Sequence, residues 1–89
     1  MFHLDDIVDD IGLTPEEIGA ISEHEHIDEE AALALAAELL QRRGGASAIR
    51  QMIVDDMRDA LARGEAGHAR QLLLALRHFL AAHPEGMPL

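Results

Sequence analysis

The sequence predicts an all-α protein, a compact antiparallel bundle of four to five helices. Apolar residues make up 48% of the chain, yet only Phe2 and Phe79 are aromatic, so leucine, isoleucine and alanine have to form the core. Such a core suits closely packed helices, whereas strands favour β-branched and aromatic residues. Apolar residues also recur at helical spacing in five segments that short turns separate, as in a bundle.

The first predicted helix runs from about Phe2 to Ile11, and Gly12 ends it. Its apolar side chains recur three and four residues apart and form one stripe, which consists of Leu4, Ile7, Val8 and Ile11. Four acids fall on the opposite side: Asp5, Asp6, Asp9 and Asp10.

The second helix has the clearest start signal in the chain. Thr14 is a natural N-cap, Pro15 suits the first helical position, and Glu17 follows the cap by three residues, which makes a capping box. Ile18 is expected to face inward, and the helix is expected to end near Glu25.

The third helix is predicted from Asp28, as N-cap, to about Arg43, with Gly44 and Gly45 ending it. It is apolar around most of its circumference, which is typical of a central helix. The residues that produce this pattern are Ala31, Ala32, Leu33, Leu35, Ala36, Leu39 and Leu40.

The fourth helix is predicted from about Ser47, its expected cap, to Arg63, and Gly64 ends it. Asp56 lies at the edge of the apolar stripe, so we expect this acid to be partly buried. The stripe consists of Ile49, Met52, Ile53, Met57, Ala60 and Leu61.

The fifth helix is predicted from about Glu65 to His83, in a hairpin with the fourth. Leu74 lies off its apolar stripe and is a candidate exposed contact. Pro84 ends this helix, so residues 1–83 are expected to form a single domain and residues 84–89 a flexible tail. The stripe consists of Ala69, Leu72, Leu73, Leu76, Phe79 and Leu80.

Composition argues against several classes of function. A net charge of −10 and the scarcity of aromatic residues argue against binding to nucleic acid or to an anionic membrane. Without cysteine there is no disulfide or thiolate, and no apolar run is long enough to cross a bilayer, so we expect a cytoplasmic protein. The hydroxyl side chains are few, namely Thr14, Ser22 and Ser47, and two of them are expected caps. We therefore predict no enzymatic activity and no cofactor.

Charge is divided between the two parts of the chain. Residues 1–41 hold twelve acids and no arginine or lysine, whereas residues 42–89 hold all seven arginines and five acids. This division would suit an antiparallel homodimer, although the same charges could pair within one chain. We therefore predict a small, acidic, non-enzymatic interaction or regulatory protein that self-associates. The predicted interaction residues are Asp5, Asp6, Asp9, Asp10, Arg70, Leu74 and Arg77.

Two other hypotheses follow from local clusters. Glu23, His24, His26 and Asp28 carry the donor atoms that zinc or another divalent transition metal prefers. On a helix, however, residues two apart point about 200° from each other, so His24 and His26 would need a turn to share an ion. Alternatively, the stretch is simply a polar turn. The third hypothesis takes the four N-terminal aspartates as an acidic decoy for a basic, nucleic-acid-binding partner.

Overall fold

A computed structural model describes residues 13–87 of this chain. Within that range the chain forms four α-helices and one short 3-10 helix. The helices are α1 (Pro15–Glu25), α2 (Glu29–Leu40), α3 (Gly45–Ala62) and α4 (Ala66–Ala82), and the 3-10 helix is Pro84–Gly86. The all-α class is confirmed. The predicted helix over residues 2–11 lies outside the described part of the chain.

The caps of α1 and α2 follow the sequence signals. The Thr14 side chain accepts a hydrogen bond from the Glu17 amide, and the Thr14 amide donates to Glu17 Oε2 at 2.9 Å, which completes the capping box. The Asp28 carboxylate accepts from the amide of Ala31 at 2.8 Å and caps α2. Each cap satisfies an amide at the helix start that has no partner within the helix.

The turn from α2 to α3 differs from the prediction. The helix α2 ends at Leu40, three residues early, and α3 begins at Gly45, so Ser47 is not its cap. Gly44 occupies the N-cap position with φ at 80°, a left-handed conformation that glycine adopts without steric cost. Gly45 lies so close to the Leu39 carbonyl that a Cβ at this position would overlap it. The two glycines therefore form the turn itself.

The helices α3 and α4 form the predicted hairpin, which is the most extensive contact in the bundle. The shorter α1 packs against all three other helices, and α2 packs against α1 and α3. The apolar α2 is therefore not the central helix, because it buries only one face and leaves Ala31 and Ala34 exposed. Alanine is a strong helix former with little apolar area, so an all-apolar pattern does not require burial on every side.

One buried core joins the four helices. Its largest fully buried side chains are Leu13, Ile18, Ile21, Ile49, Ile53 and Phe79. Two residues assigned to buried stripes are exposed instead, namely Leu61 at 60% and Leu73 at 42%. Each lies at the margin of its stripe, where a small rotation of the helix decides between core and solvent.

The packed part of the chain continues three residues beyond the boundary expected at His83. The 3-10 helix contacts α3 and α4, and its Gly86 is buried against the backbone of Ala46. No helix in residues 13–87 combines the length and the apolar character needed to cross a bilayer.

Candidate functional site

A polar cleft of about 350 Å³ lies between the C-terminal half of α1 and the C-terminal half of α3. We call it the α1–α3 cleft. Its walls carry the buried carboxyl of Asp56 together with His24 and Arg63, whose pKa values are also shifted, so it is the candidate functional site. The lining residues are Ser22, Glu23, His24, His26, Asp56, Asp59 and Arg63.

A tight turn at the end of α1 forms one wall of the cleft. His26 is the C-cap of α1 and adopts a left-handed conformation with φ at 56°. The amides of His26 and Ile27 both donate to the Ser22 carbonyl, and the Ser22 hydroxyl donates to the Ile27 carbonyl. These bonds satisfy the Ser22 carbonyl in the last turn of the helix and fix the direction in which the chain leaves towards α2.

Asp56 forms the buried floor of the cleft. Its residue surface is only 5% exposed, and its Oδ2 atom is buried without a hydrogen-bond partner in residues 13–87. Burial raises the pKa of the Asp56 carboxyl to about 6, against the attraction of His24, and the nearby carboxylates of Glu23, Asp59 and Asp55 raise it further. The expected partial burial of this acid is confirmed. A buried carboxyl of this kind is energetically costly unless a partner compensates for it.

His24 lines the cleft and bridges α1 and α3. Its Nδ1 lies 3.0 Å from Glu25 Oε2, and its Nε2 lies 3.4 Å from Asp55 Oδ2 on α3. Partial burial lowers the pKa of His24, but the hydrogen bonds with Glu25 and Asp55 and the negative charges of Asp56 and Glu25 together outweigh it, so the net pKa is raised. The protonated imidazole therefore holds α1 against α3 better than the neutral form does.

Glu23 connects the cleft to α4 and to the hairpin turn. His68 Nε2 lies 2.8 Å from Glu23 Oε2, and Arg63 approaches Glu23 Oε1 at 3.8 Å. Arg63 also donates to Glu65 at 3.0 Å, which is its shorter contact. The hydrogen bond with Glu23 raises the pKa of His68, and the hydrogen bond with Glu65 raises that of Arg63.

The four residues proposed as metal ligands do not converge. His24 faces Asp55, Glu23 faces His68, and the Asp28 carboxylate caps α2, while His26 is exposed at the turn. Among residues 13–87, no group of three or more histidine, aspartate and glutamate side chains is arranged to hold a metal ion. The alternating sequence sends neighbouring side chains to different partners, as expected from the spacing along a helix.

The predicted interaction residues fall into two groups. Arg70, Leu74 and Arg77 are exposed on the outer face of α4, and Leu74 is 58% exposed, as expected for a residue off the apolar stripe. Asp5, Asp6, Asp9 and Asp10 lie outside the described residues, so the decoy hypothesis stays a prediction.

A contact between a buried glutamate on α1 and a histidine on α4 was not predicted. The Glu17 side chain is fully buried, and its Oε1 lies 2.8 Å from His78 Nδ1 on α4. Burial raises the pKa of Glu17 and its hydrogen bonds with Thr14 and His78 lower it, and the net pKa is raised. The capping-box pattern identified the helix-start role of Glu17. It carried no signal for His78, which lies 61 residues further along the chain.

A groove of about 480 Å³ lies beside the outer face of α4. Its walls come from the start of α1 and from the middle of α4, and they include Leu74. The lining residues are Thr14, Glu16, Gln71, Leu74, Ala75 and His78.

No protein family, curated protein or solved structure matches this chain.

Proposed function

We propose that the chain is a non-enzymatic helical interaction protein that self-associates through the outer face of α4 and acts in the cytoplasm. The observation that carries this proposal is an exposed stripe of two leucines between two arginines. Its members are Arg70, Leu73, Leu74 and Arg77, at the i, i+3, i+4 and i+7 spacing that puts them on one side of a helix. We call this surface the α4 stripe.

The α4 stripe has the chemistry of a helix-binding surface. Leucines exposed at 42% and 58% offer apolar area to a partner, and the groove beside Leu74 could receive an apolar side chain. The two arginines at the ends of the stripe can pair with carboxylates and fix the direction in which a partner lies.

A second copy of this chain is the partner that fits. Residues 1–41 carry twelve acids and no basic side chain other than histidine, so a second copy supplies the opposite charge to Arg70 and Arg77. In the sequence, acids also accompany an apolar stripe at residues 4–11. An antiparallel arrangement would place the acidic part of each copy against the α4 stripe of the other, as a two-fold interface requires.

Sedimentation of the untagged chain across the micromolar range tests this proposal. We expect a concentration-dependent dimer in the wild type. Leu73→Gln/Leu74→Gln should make it monomeric by removing the apolar area, and Arg70→Glu/Arg77→Glu should do so by opposing charges of the same sign. These four side chains are exposed, so the helical circular dichroism of both variants should match that of the wild type.

Leu61→Gln is the matched control, because Leu61 is an equally exposed leucine that lies on α3 rather than on the α4 stripe. It should leave the dimer intact. A wild-type chain that stays monomeric throughout would overturn the proposal. A dimer that Leu61→Gln weakens as much as the double leucine variant would show that the α4 stripe is not the interface.

A further inference from the structure

We propose that the α1–α3 cleft is a binding site for an organic cation, an alkylguanidinium or alkylammonium group, with Asp56 as its principal counter-ion. The site is separate from the α4 stripe. The proposal rests on an acid that is nineteen-twentieths buried, lines the cleft and has an oxygen without a hydrogen-bond partner among the residues that the structure describes. Buried polar atoms in folded proteins almost always have partners, so an unsatisfied carboxyl facing a cavity indicates a missing donor.

The surroundings of Asp56 favour a positive ligand. The carboxylates of Glu23, Asp55 and Asp59 disfavour the ionisation of Asp56, and His24 opposes them. The one arginine in the cleft wall, Arg63, is committed to Glu65 at 3.0 Å and to Glu23 at 3.8 Å. The cleft therefore keeps an excess of negative charge that the described part of the chain does not neutralise, and a cation entering it would gain from every one of these carboxylates.

The form of the cleft favours an organic cation over a metal ion. The side chains around it are not arranged as a metal-binding group, because His24 is held between Glu25 and Asp55. A volume of about 350 Å³ is also far larger than one ion needs, but it accommodates a planar guanidinium with part of its alkyl chain. Such a group presents several donors at once, which suits carboxylates on two facing helices.

Binding of a cation should be linked to the protonation of Asp56. Burial raises the pKa of this carboxyl to about 6, so at neutral pH it is ionised and available to the ligand. Near pH 5 it is mostly protonated, while His24, with its raised pKa, carries a positive charge that repels a cation. The remaining groups that face Asp56 are Glu23, Asp55, Asp59, His26 and Arg63.

Calorimetric titration with n-butylguanidinium tests the site on the full chain. We expect saturable binding at pH 7.5 that weakens at pH 5, and no binding of n-butylurea, which has the same shape without the charge. Asp56→Asn should lower the affinity roughly tenfold or more, because it removes a charge-assisted hydrogen bond and keeps the side-chain shape. Glu38→Gln removes one negative charge from the exposed surface of α2 and should change the affinity by less than about twofold.

Two results would overturn the proposal: a wild-type chain that does not bind n-butylguanidinium, or an Asp56→Asn variant that is folded by circular dichroism and binds it equally well.

If binding occurs, sedimentation of Asp56→Asn identifies the natural source of the cation. Loss of self-association assigns it to an arginine of a second copy, and unchanged self-association assigns it to a free small molecule. If the wild type does not self-associate but binds n-butylguanidinium, only the proposed function fails.

Discussion

At the scale of single residues, the two acids that are buried within residues 13–87 differ in how they are compensated. Glu17 has a backbone donor at Thr14 and a histidine at His78, so its carboxyl is satisfied on both oxygens. Asp56 has the attraction of His24, but its Oδ2 atom has no hydrogen-bond partner in the described part of the chain. Burial of the Asp56 carboxylate is therefore less well compensated than burial of Glu17, so replacing Asp56 is the more informative test of stability.

Replacing Asp56 by asparagine should stabilise the free protein at neutral pH. The pKa of the carboxyl rises from 3.8 to about 6 on folding, so ionised Asp56 opposes folding by up to about 3 kcal/mol. Since a buried amide also needs partners, we expect a gain of roughly 1–3 kcal/mol in the free energy of unfolding at pH 7.5. Urea denaturation measures it.

The same measurement near pH 3.5 is the internal check, because Asp56 is then protonated when folded and largely protonated when unfolded, and the gain should disappear. Asp59→Asn, an exposed neighbour on the same helix, should change stability by less than about 0.5 kcal/mol at pH 7.5. A loss of stability in Asp56→Asn at pH 7.5 would show that the ionised carboxyl has a partner within the protein.

The sequence pattern predicted the burial of Asp56 but not the side-chain pairs around the buried acids. The position of Asp56 at the edge of an apolar stripe was enough to predict its burial, because helical periodicity fixes which side a residue lies on. The pairing of His24 with Asp55 and of Glu17 with His78 could not be predicted. Such contacts depend on how helices are rotated and shifted against each other, which no local spacing records.

At the scale of helices, local chemistry predicted the bounds of α1 to α4 to within about one residue, except at the turn between α2 and α3. Thr14 and Asp28 cap α1 and α2 as expected, since a side-chain acceptor at an N-cap satisfies the amides directly. The end of α2 and the start of α3 were misplaced by two or three residues. There the decisive contact is between Gly45 and the backbone of Leu39, which a sequence pattern does not reveal.

Gly45→Ala should destabilise the bundle. A methyl group at this position would overlap the Leu39 carbonyl, so the turn between α2 and α3 would have to shift. We expect a loss of about 1–3 kcal/mol in the free energy of unfolding, the usual cost of forcing extra volume into packed structure. Thermal and urea denaturation measure it.

Gly19→Ala is the matched control within the same chain. Gly19 lies inside α1, and no neighbouring atom of residues 13–87 comes within 4 Å of a Cβ added there, so alanine should stabilise the helix by about 0.5–1 kcal/mol. Opposite signs for the two substitutions are the expected result. If Gly45→Ala were as stable as the wild type, the close approach to Leu39 would carry no energetic weight.

At the scale of the whole molecule, the sequence predicted the fold class and the α3–α4 hairpin but not the central helix. The role expected of α2 belongs to α1, which contacts every other helix. Counting apolar residues overvalued α2, whose alanines are partly exposed. It undervalued α1, whose buried side includes Ile18 and Ile21. Large side chains at a few positions decide the packing more than a high apolar fraction does.

Stability of the whole molecule should fall as the pH rises from about 5 to 8. The raised pKa values of Asp56 and Glu17 mean that the folded chain retains protons that the unfolded chain loses. The raised pKa values of His24 and His68 give stability below 6.5 that is lost as the pH passes their folded pKa values. All four groups act in the same direction. Asp55, whose pKa is lowered, loses its contribution only below about 3.8.

Urea denaturation at pH 5, 6.5 and 8 measures this dependence. Asp56 alone should make the free energy of unfolding about 1–2 kcal/mol lower at pH 8 than at pH 5. The Asp56→Asn variant should therefore show a flatter profile than the wild type. A wild-type chain that is more stable at pH 8 than at pH 5 would contradict the assignment of these groups.

The contact between Glu17 and His78 also has a consequence for how the bundle comes apart. It joins two side chains that are 61 residues apart, and Glu17 has no exposed surface. Helix α1 cannot detach locally without uncovering that carboxyl and the core residues on either side of it. The start of α1, close to the N-terminal limit of the described residues, is therefore tied to α4, and we expect the four helices to unfold together as one cooperative unit rather than by fraying from α1.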